Sequence, residues 1–185
     1  LATRIAGHFT GSNEDEESQS NSDAFDNTQL RLSDGSLLFK PNLFGQGINI
    51  KKAQYMMMNF DIGLKYSGFS FDAGYYYRWL NNFGGDNLQL LDFEELKDNG
   101  FLVQSSYMFI PKALQLYAAY SKIFGNHGNP WEIAGGVNVY PWKNEVFRAN
   151  LEYLYLDRSP VGGLSVPYLV GSTGSILQLN LLVNF

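Results

Sequence analysis

The strongest constraint on this chain is an alternation of apolar and polar side chains with a period of two. It recurs in about eight segments of the sequence, each near the ~10 residues that a tilted membrane-spanning strand requires. In AQYMMMNFDIGLKYSG, for example, Phe60, Ile62 and Leu64 alternate with Asp61 and Lys65. Because successive side chains of a strand point to opposite faces, each segment predicts a strand with one apolar and one polar face.

Ionisable side chains obey the same alternation. Four segments carry two of them each, always on the parity opposite the aromatic residues: Arg4 and His8, Asp61 and Lys65, Asp72 and Arg78, and Arg148 and Glu152. Lys122 is the exception, but it lies near a strand end, where a long side chain can reach the interface. A soluble sandwich would carry more lysine and glutamate on its polar face. The pattern therefore favours a membrane-spanning sheet with one face toward lipid and the other toward water.

Composition narrows the function classes. Charged residues are 17% of the chain and aromatic residues 16%, whereas charged residues make up ~25% of typical soluble domains. The sequence has no cysteine, which excludes disulfides and thiolate metal sites, and its net charge of -5 argues against nucleic acid as a partner. No apolar run reaches the ~18 residues of a membrane-spanning helix. We expect no cofactor.

Connections between the segments alternate in length. Short ones lie at residues 66–69, 110–113 and 141–145, and long ones at 12–52, 81–99, 125–130 and 157–174. Short turns on one side and long loops on the other are typical of an outer-membrane meander. We therefore expect an all-β fold, an antiparallel transmembrane β-barrel meander of about eight strands. Residues 1–185 would belong to one barrel domain with a long extracellular loop at 12–52.

The first and last segments predict a piece of a longer bacterial outer-membrane protein. Leu1 already lies inside an alternating run, so we expect more chain before it. The closing strand ILQLNLLVNF ends on Phe185, which shares the apolar parity of Leu177 and Leu179. An aromatic terminus on such a strand resembles the assembly signal that the barrel-assembly machinery reads. Deleting Phe185 should therefore lower assembly of the barrel.

Three stretches carry a family resemblance: residues 60–80, 100–125 and 132–155, and within them LKYSGFS, IPKALQLYAAYS and GGVNVYPWKN. They resemble the C-terminal half of the phosphate-selective porin O and P family. The resemblance implies a homotrimeric porin of roughly sixteen strands, of which this chain would supply the second half. Members with phosphate selectivity carry an inward arginine where this chain has Ala119, so a strongly anion-selective filter is not expected.

The leading hypothesis is a water-filled channel for passive diffusion of small hydrophilic solutes or ions, without enzymatic activity. Its pore-lining residues would be Arg4, His8, Asn59, Asp61, Lys65, Asp72, Arg78, Gln104, Gln115, Glu132, Asn138, Arg148, Asn150 and Glu152. Outer-membrane lipid and lipopolysaccharide would surround it. The alternative is a closed eight-stranded barrel with a structural, adhesive or recognition role. The many small residues of the polar parity fill such an interior poorly and favour the wider pore: Ala2, Ala6, Gly74, Ala119, Ala134 and Gly136.

Four further features have more than one interpretation. The acidic run 13–23 is better read as a solvated loop than as a Ca²⁺ or lipopolysaccharide site. Residues 28–47 carry a hairpin signal at Asp34-Gly35 and form either a constriction inside the lumen or an extension of the barrel wall. Residues 90–101 predict a short helical turn with an acidic surface at Asp92, Glu94, Glu95 and Asp98. The histidines, His8 and His127, have no recognisable catalytic partner motif.

Overall fold

The chain forms one antiparallel sheet that follows the order of the sequence. The computed structural model describes residues 1–16, 30–144, 146–162 and 166–183. The strands are β1 (Ala2–Asp15), β2 (Asn49–Tyr66), β3 (Phe69–Asp86), β4 (Leu96–Ile110), β5 (Leu114–Gly125), β6 (Trp131–Val139), β7 (Phe147–Asp157) and β8 (Gly174–Val183). Each strand pairs with its neighbour along the chain, so the predicted eight-stranded antiparallel meander is confirmed. Within the described ranges, no helix has the length and hydropathy needed to cross a bilayer.

The sheet is open at both edges. Among the described residues, β1 pairs with β2 alone and β8 with β7 alone. The outer sides of these edge strands therefore have no strand partner among the described residues. Closure of the eight strands on themselves is not observed.

Strand register assembles the predicted parities into two continuous faces. One row pairs Ile5 with Ile62, Ile62 with Ala73 and Ala73 with Val103, and belongs to what we call the apolar face. The adjacent row of the other parity, the polar face, contains Asp72, Gln104, Ala119 and Ala134. Lys122 lies on the apolar face opposite Phe101 and Trp131, at the long-loop end of β5, and its ammonium sits 5.0 Å from the centre of the Phe124 ring.

The apolar face is uncovered within the described chain. Ile5 is 85% exposed, Phe60 58% and Leu177 70%. Soluble monomers rarely expose contiguous apolar patches larger than a few hundred Å². A face of this extent across all strands requires an apolar environment or a partner.

Aromatic rings border the apolar face at both ends. At the long-loop end, ring centroids lie 6.4 Å apart for Phe9 and Trp79 and 5.2 Å apart for Trp131 and Tyr155. At the short-turn end the border consists of Tyr66, Phe69, Tyr107, Phe109 and Phe147.

The distance between the two aromatic borders follows from the positions of their residues on β3. Phe69 and Trp79 lie ten positions apart on that strand, which is ~33 Å at ~3.3 Å per residue. A strand tilt of ~40°, typical of barrels, reduces this length to a height of ~25 Å. Outer-membrane barrels have an apolar band of ~25 Å between their aromatic girdles.

The structure corrects two sequence boundaries. β1 continues to Asp15 and β2 begins at Asn49, so the first long connection covers residues 16–48 rather than 12–52. The helical turn expected within 90–101 lies earlier, as a 3₁₀ turn at Leu88–Leu90, and β4 already begins at Leu96. The predictions for Phe185 and for most of the acidic run 13–23 fall on residues outside the described ranges.

The hydrophobic core lies at the long-loop end of the polar face. Leu80 and Leu96 pair across β3 and β4 at polar-face positions, and both are buried. The first long connection covers them with three leucines that are at most 7% exposed: Leu30, Leu32 and Leu38. Each buried leucine contributes roughly 1.5–3 kcal/mol, which holds this loop against the sheet.

Candidate functional site

The side chains predicted to line a pore share one surface. By strand register, every one of them lies on the polar face, from Arg4 on β1 to Arg148, Asn150 and Glu152 on β7. Several of them belong to an ionic group on β1–β3 or to a hydrogen-bonded amide group on β5–β7, and other side chains of β4 and β8 join these groups. Lys65 and Glu132 lie on the same face, near its short-turn and long-loop ends respectively.

The ionic group on β1–β3 is largely self-compensating. A guanidinium nitrogen of Arg4 lies 3.0 Å from a carboxylate oxygen of Asp61 and 3.4 Å from one of Asp72. His8 Nε2 is 4.0 Å from the other oxygen of Asp61. Because Arg4 is well exposed, water screens these pairs and each contributes little to stability. They cancel much of the local field on this part of the face.

A second ion pair lies between β3 and β4. Arg78 Nε donates to both carboxylate oxygens of Asp98, at 3.1 Å each, and the two residues are cross-strand partners. Asp98 is only 7% exposed. Its assignment to an exposed acidic loop surface was therefore wrong, because β4 begins before it and turns its side chain onto the polar face.

A ladder of amides and hydroxyls crosses the remaining strands. The side-chain nitrogen of Asn150 donates to the oxygen of Asn138 at 3.0 Å, and the nitrogen of Asn138 donates to Gln115 at 3.1 Å. Gln115 in turn donates to the hydroxyl of Ser106 at 3.0 Å, and Asn180 donates to Asn150 at 3.3 Å. We call this set, together with Tyr117 and Gln178, the amide ladder. Buried or half-buried networks of this kind hold their members in one geometry.

Glu152 is held at the centre of the amide ladder. The hydroxyl of Tyr117 donates to one carboxylate oxygen at 2.5 Å, and the amide of Gln178 donates to the other at 2.7 Å. Asn150 also donates to the Tyr117 hydroxyl at 2.9 Å. Gly136, which lies between Tyr117 and Glu152 in the sheet, leaves room for the tyrosine. A Cβ at this glycine would lie 2.5 Å from the Tyr117 hydroxyl.

Gly136→Ala should therefore displace Tyr117 and weaken the ladder. The added methyl would also meet the Leu151 carbonyl oxygen at 2.7 Å, where backbone must shift. Overpacking of this kind costs ~1–3 kcal/mol, measurable as a lower urea midpoint of unfolding. Gly135→Ala is the matched control, because its Cβ would make an ordinary 3.7 Å contact. Equal midpoints for the two variants would refute the tight contact.

The first long connection crosses the polar face rather than extending the sheet. Residues 30–38 form a hairpin in which Leu32 N–H donates to the Ser36 carbonyl at 2.8 Å, with the turn at Asp34-Gly35 as predicted. Ser33 reaches the end of β5, where its hydroxyl accepts from the His127 N–H at 3.2 Å. A Cβ at Gly125 would lie 2.4 Å from that hydroxyl, so only glycine permits this approach. Of the two interpretations left open by the sequence, the structure agrees with the loop that folds inward. Residues 30–38 lie over the polar face and do not extend the sheet.

The last long connection covers the same end of the polar face. Leu154 and Leu156 of β7 are buried at polar-face positions, although leucines there break the alternation. Leu156 lines a cavity of about 220 Å³ together with Pro160 and Tyr168. Partial burial raises the pKa of the Tyr168 hydroxyl above its ordinary value. Two loops thus cover part of the polar face at its long-loop end.

The two histidines lie in different parts of the structure. His127 packs its ring 5.6 Å from that of Phe44 within the loop cluster, and His8 faces Asp61 as described above. In the described part of the chain, no group of three or more histidine and acidic side chains is placed to hold a metal ion.

Sequence reasoning left the path of the covering loop open and missed several members of the amide ladder. The signal for the loop was present: Leu80, Leu96, Leu154 and Leu156 are apolar residues at polar-face positions, all near the long connections. Apolar residues on both faces of a strand end indicate that something covers the second face. The roles of Gln178 and Asn180 depend on the register of β8 against β7, which parity alone does not determine.

Comparisons with protein-family models, with curated protein sequences and with solved structures each found no match for this chain. Function is therefore inferred from the geometry of the two faces of the sheet.

Proposed function

We propose that the chain is the C-terminal half of a trimeric outer-membrane porin, similar to the phosphate-selective porin O and P family, that forms a water-filled diffusion channel. The observation that carries this proposal is the exposed apolar face, which is bordered by aromatic rings on both sides and backed by a polar face. Such a sheet is suited to separate lipid from water. Lipid and lipopolysaccharide would contact the apolar face, and the barrel-assembly machinery would insert the protein.

The open edges favour a wide pore over the closed eight-stranded alternative. The described parts of β1 and β8 do not pair with each other. Small residues on the polar face, such as Ala119 and Ala134, leave the interior of a narrow barrel unfilled. Strands from the rest of a longer chain would close the wall into a barrel of roughly sixteen strands.

The charges predict weak ion selectivity. Arg4 and Arg78 are each paired with carboxylates on the polar face. The long-loop mouth carries the exposed acids Glu16, Asp92 and Glu94. The short-turn mouth carries basic residues around a cavity of about 690 Å³: Lys112, Lys143 and Arg148. Fields of opposite sign at the two mouths, each screened beyond ~8–10 Å, leave little net preference.

Planar-bilayer recording tests the proposed channel. We expect stable single-channel currents and a small reversal potential in a salt gradient, mildly in favour of cations. Millimolar phosphate should not block the current, because this half provides no arginine ladder. Strong anion selectivity with phosphate block would contradict the selectivity, and absence of any channel current would contradict the channel itself.

A further inference from the structure

We propose that the amide ladder is a weak binding track for neutral polyhydroxylated solutes, such as sugars and polyols. This inference rests on the proposed channel function and names the substrate class of the same polar face. Its basis is the chemistry of the groups that the sheet brings into one row.

The ladder offers donors and acceptors side by side without net charge. The amide groups of Gln115, Asn138 and Asn150 each carry two N–H donors and a carbonyl acceptor, which bond largely to one another when no solute is present. A sugar hydroxyl likewise both donates and accepts, so neighbouring hydroxyls can exchange bonds with successive amides. A row of fixed charges would instead favour ions of one sign.

The charged residues of this region carry no net charge together, and Glu152 is fully hydrogen-bonded. The groove beside the ladder contains Arg148 and Glu152 as its charged lining residues, and they have opposite signs. Both carboxylate oxygens of Glu152 accept hydrogen bonds from Tyr117 and Gln178. An entering ion would have to give up hydration and displace these bonds, whereas a neutral hydroxyl can exchange hydrogen bonds one for one with the ladder amides.

The groove has room for a small solute. Its volume is about 320 Å³, with Ala119 and Ala134 as paired small residues in its lining. Small-molecule sites occupy ~300–1,000 Å³. The groove is open to solvent, which suits a channel, since a permeating solute must leave as readily as it enters.

Sugar block of the ionic current provides the test. We would record KCl conductance of the full-length protein purified from outer membranes, with glucose or with an ethylene glycol oligomer of equal hydrodynamic radius. The oligomer lacks the hydroxyl donors along its chain. We expect glucose to reduce the current more than the oligomer does. The double variant N138A/N150A should raise the half-blocking glucose concentration about tenfold.

Gln54→Ala is the matched amide control, because Gln54 accepts a bond from Asn82 and lies outside the ladder. It should leave glucose block unchanged. If the double variant does not fold, Asn180→Ala at the edge of the ladder should give a smaller rise in the same concentration. Equal block by glucose and the oligomer, or unchanged block in the ladder variants, would overturn the binding track alone. A parent protein without KCl conductance would overturn the proposed channel and this inference with it.

Discussion

Releasing the loop hairpin from the polar face should raise the single-channel conductance about two- to threefold, because the narrowest cross-section limits a water-filled pore. Residues 30–38 reach from the first strands across to β5, where Ser33 meets His127. Replacing residues 31–37 with a short glycine-serine linker would remove this cover. Single-channel recording in KCl measures the result.

A second variant should release the hairpin from the polar face without shortening the chain. Leu38 belongs to the loop and is 1% exposed where the loop packs on the sheet, so Leu38→Asp would bury a carboxylate unless the loop lifts away. The matched control is Leu90→Asp, since Leu90 is 63% exposed in the neighbouring connection. We expect a conductance increase for Leu38→Asp and none for Leu90→Asp. Parent-like conductance in both hairpin variants would show that the loop lies beside the conduction path.

Adjacent residues on β4 should respond in opposite ways to a new charge. Val103 lies on the apolar face between Ala73 and Tyr120, whereas Gln104 lies on the polar face opposite Asp72. A lysine at the lipid-facing midplane costs ~2–4 kcal/mol of folding free energy, so Val103→Lys should destabilise the protein strongly. Gln104→Lys gains the nearby Asp72 carboxylate and should be nearly neutral.

Urea titration of the protein folded into lipid vesicles measures both changes in the free energy of unfolding. The pair separates the membrane interpretation from a soluble one. On a water-exposed surface, Val103→Lys would improve solubility and cost little. A neutral Val103→Lys together with a destabilising Gln104→Lys would mean that the faces are assigned the wrong way round.

The local pattern of the sequence was sufficient for the strands and their faces. Alternation with period two is a property of neighbouring residues, and a strand translates it directly into two faces. Asp61, Asp72 and Arg78 therefore could be assigned to one face without knowledge of the fold. Turn residues and connection lengths likewise indicated a meander, because antiparallel neighbours need only short links.

Tertiary structure alone decided which distant side chains meet. Asp98 became the partner of Arg78 because β4 begins at Leu96 and aligns these residues in register. The parity of a residue determines which face it occupies but not which residue of the neighbouring strand it pairs with. Parity therefore cannot identify hydrogen-bond partners such as Asn138 and Asn150. The path of residues 30–38 depends on burial of their leucines against Leu80 and Leu96. That burial is a long-range packing effect, and no local period encodes it.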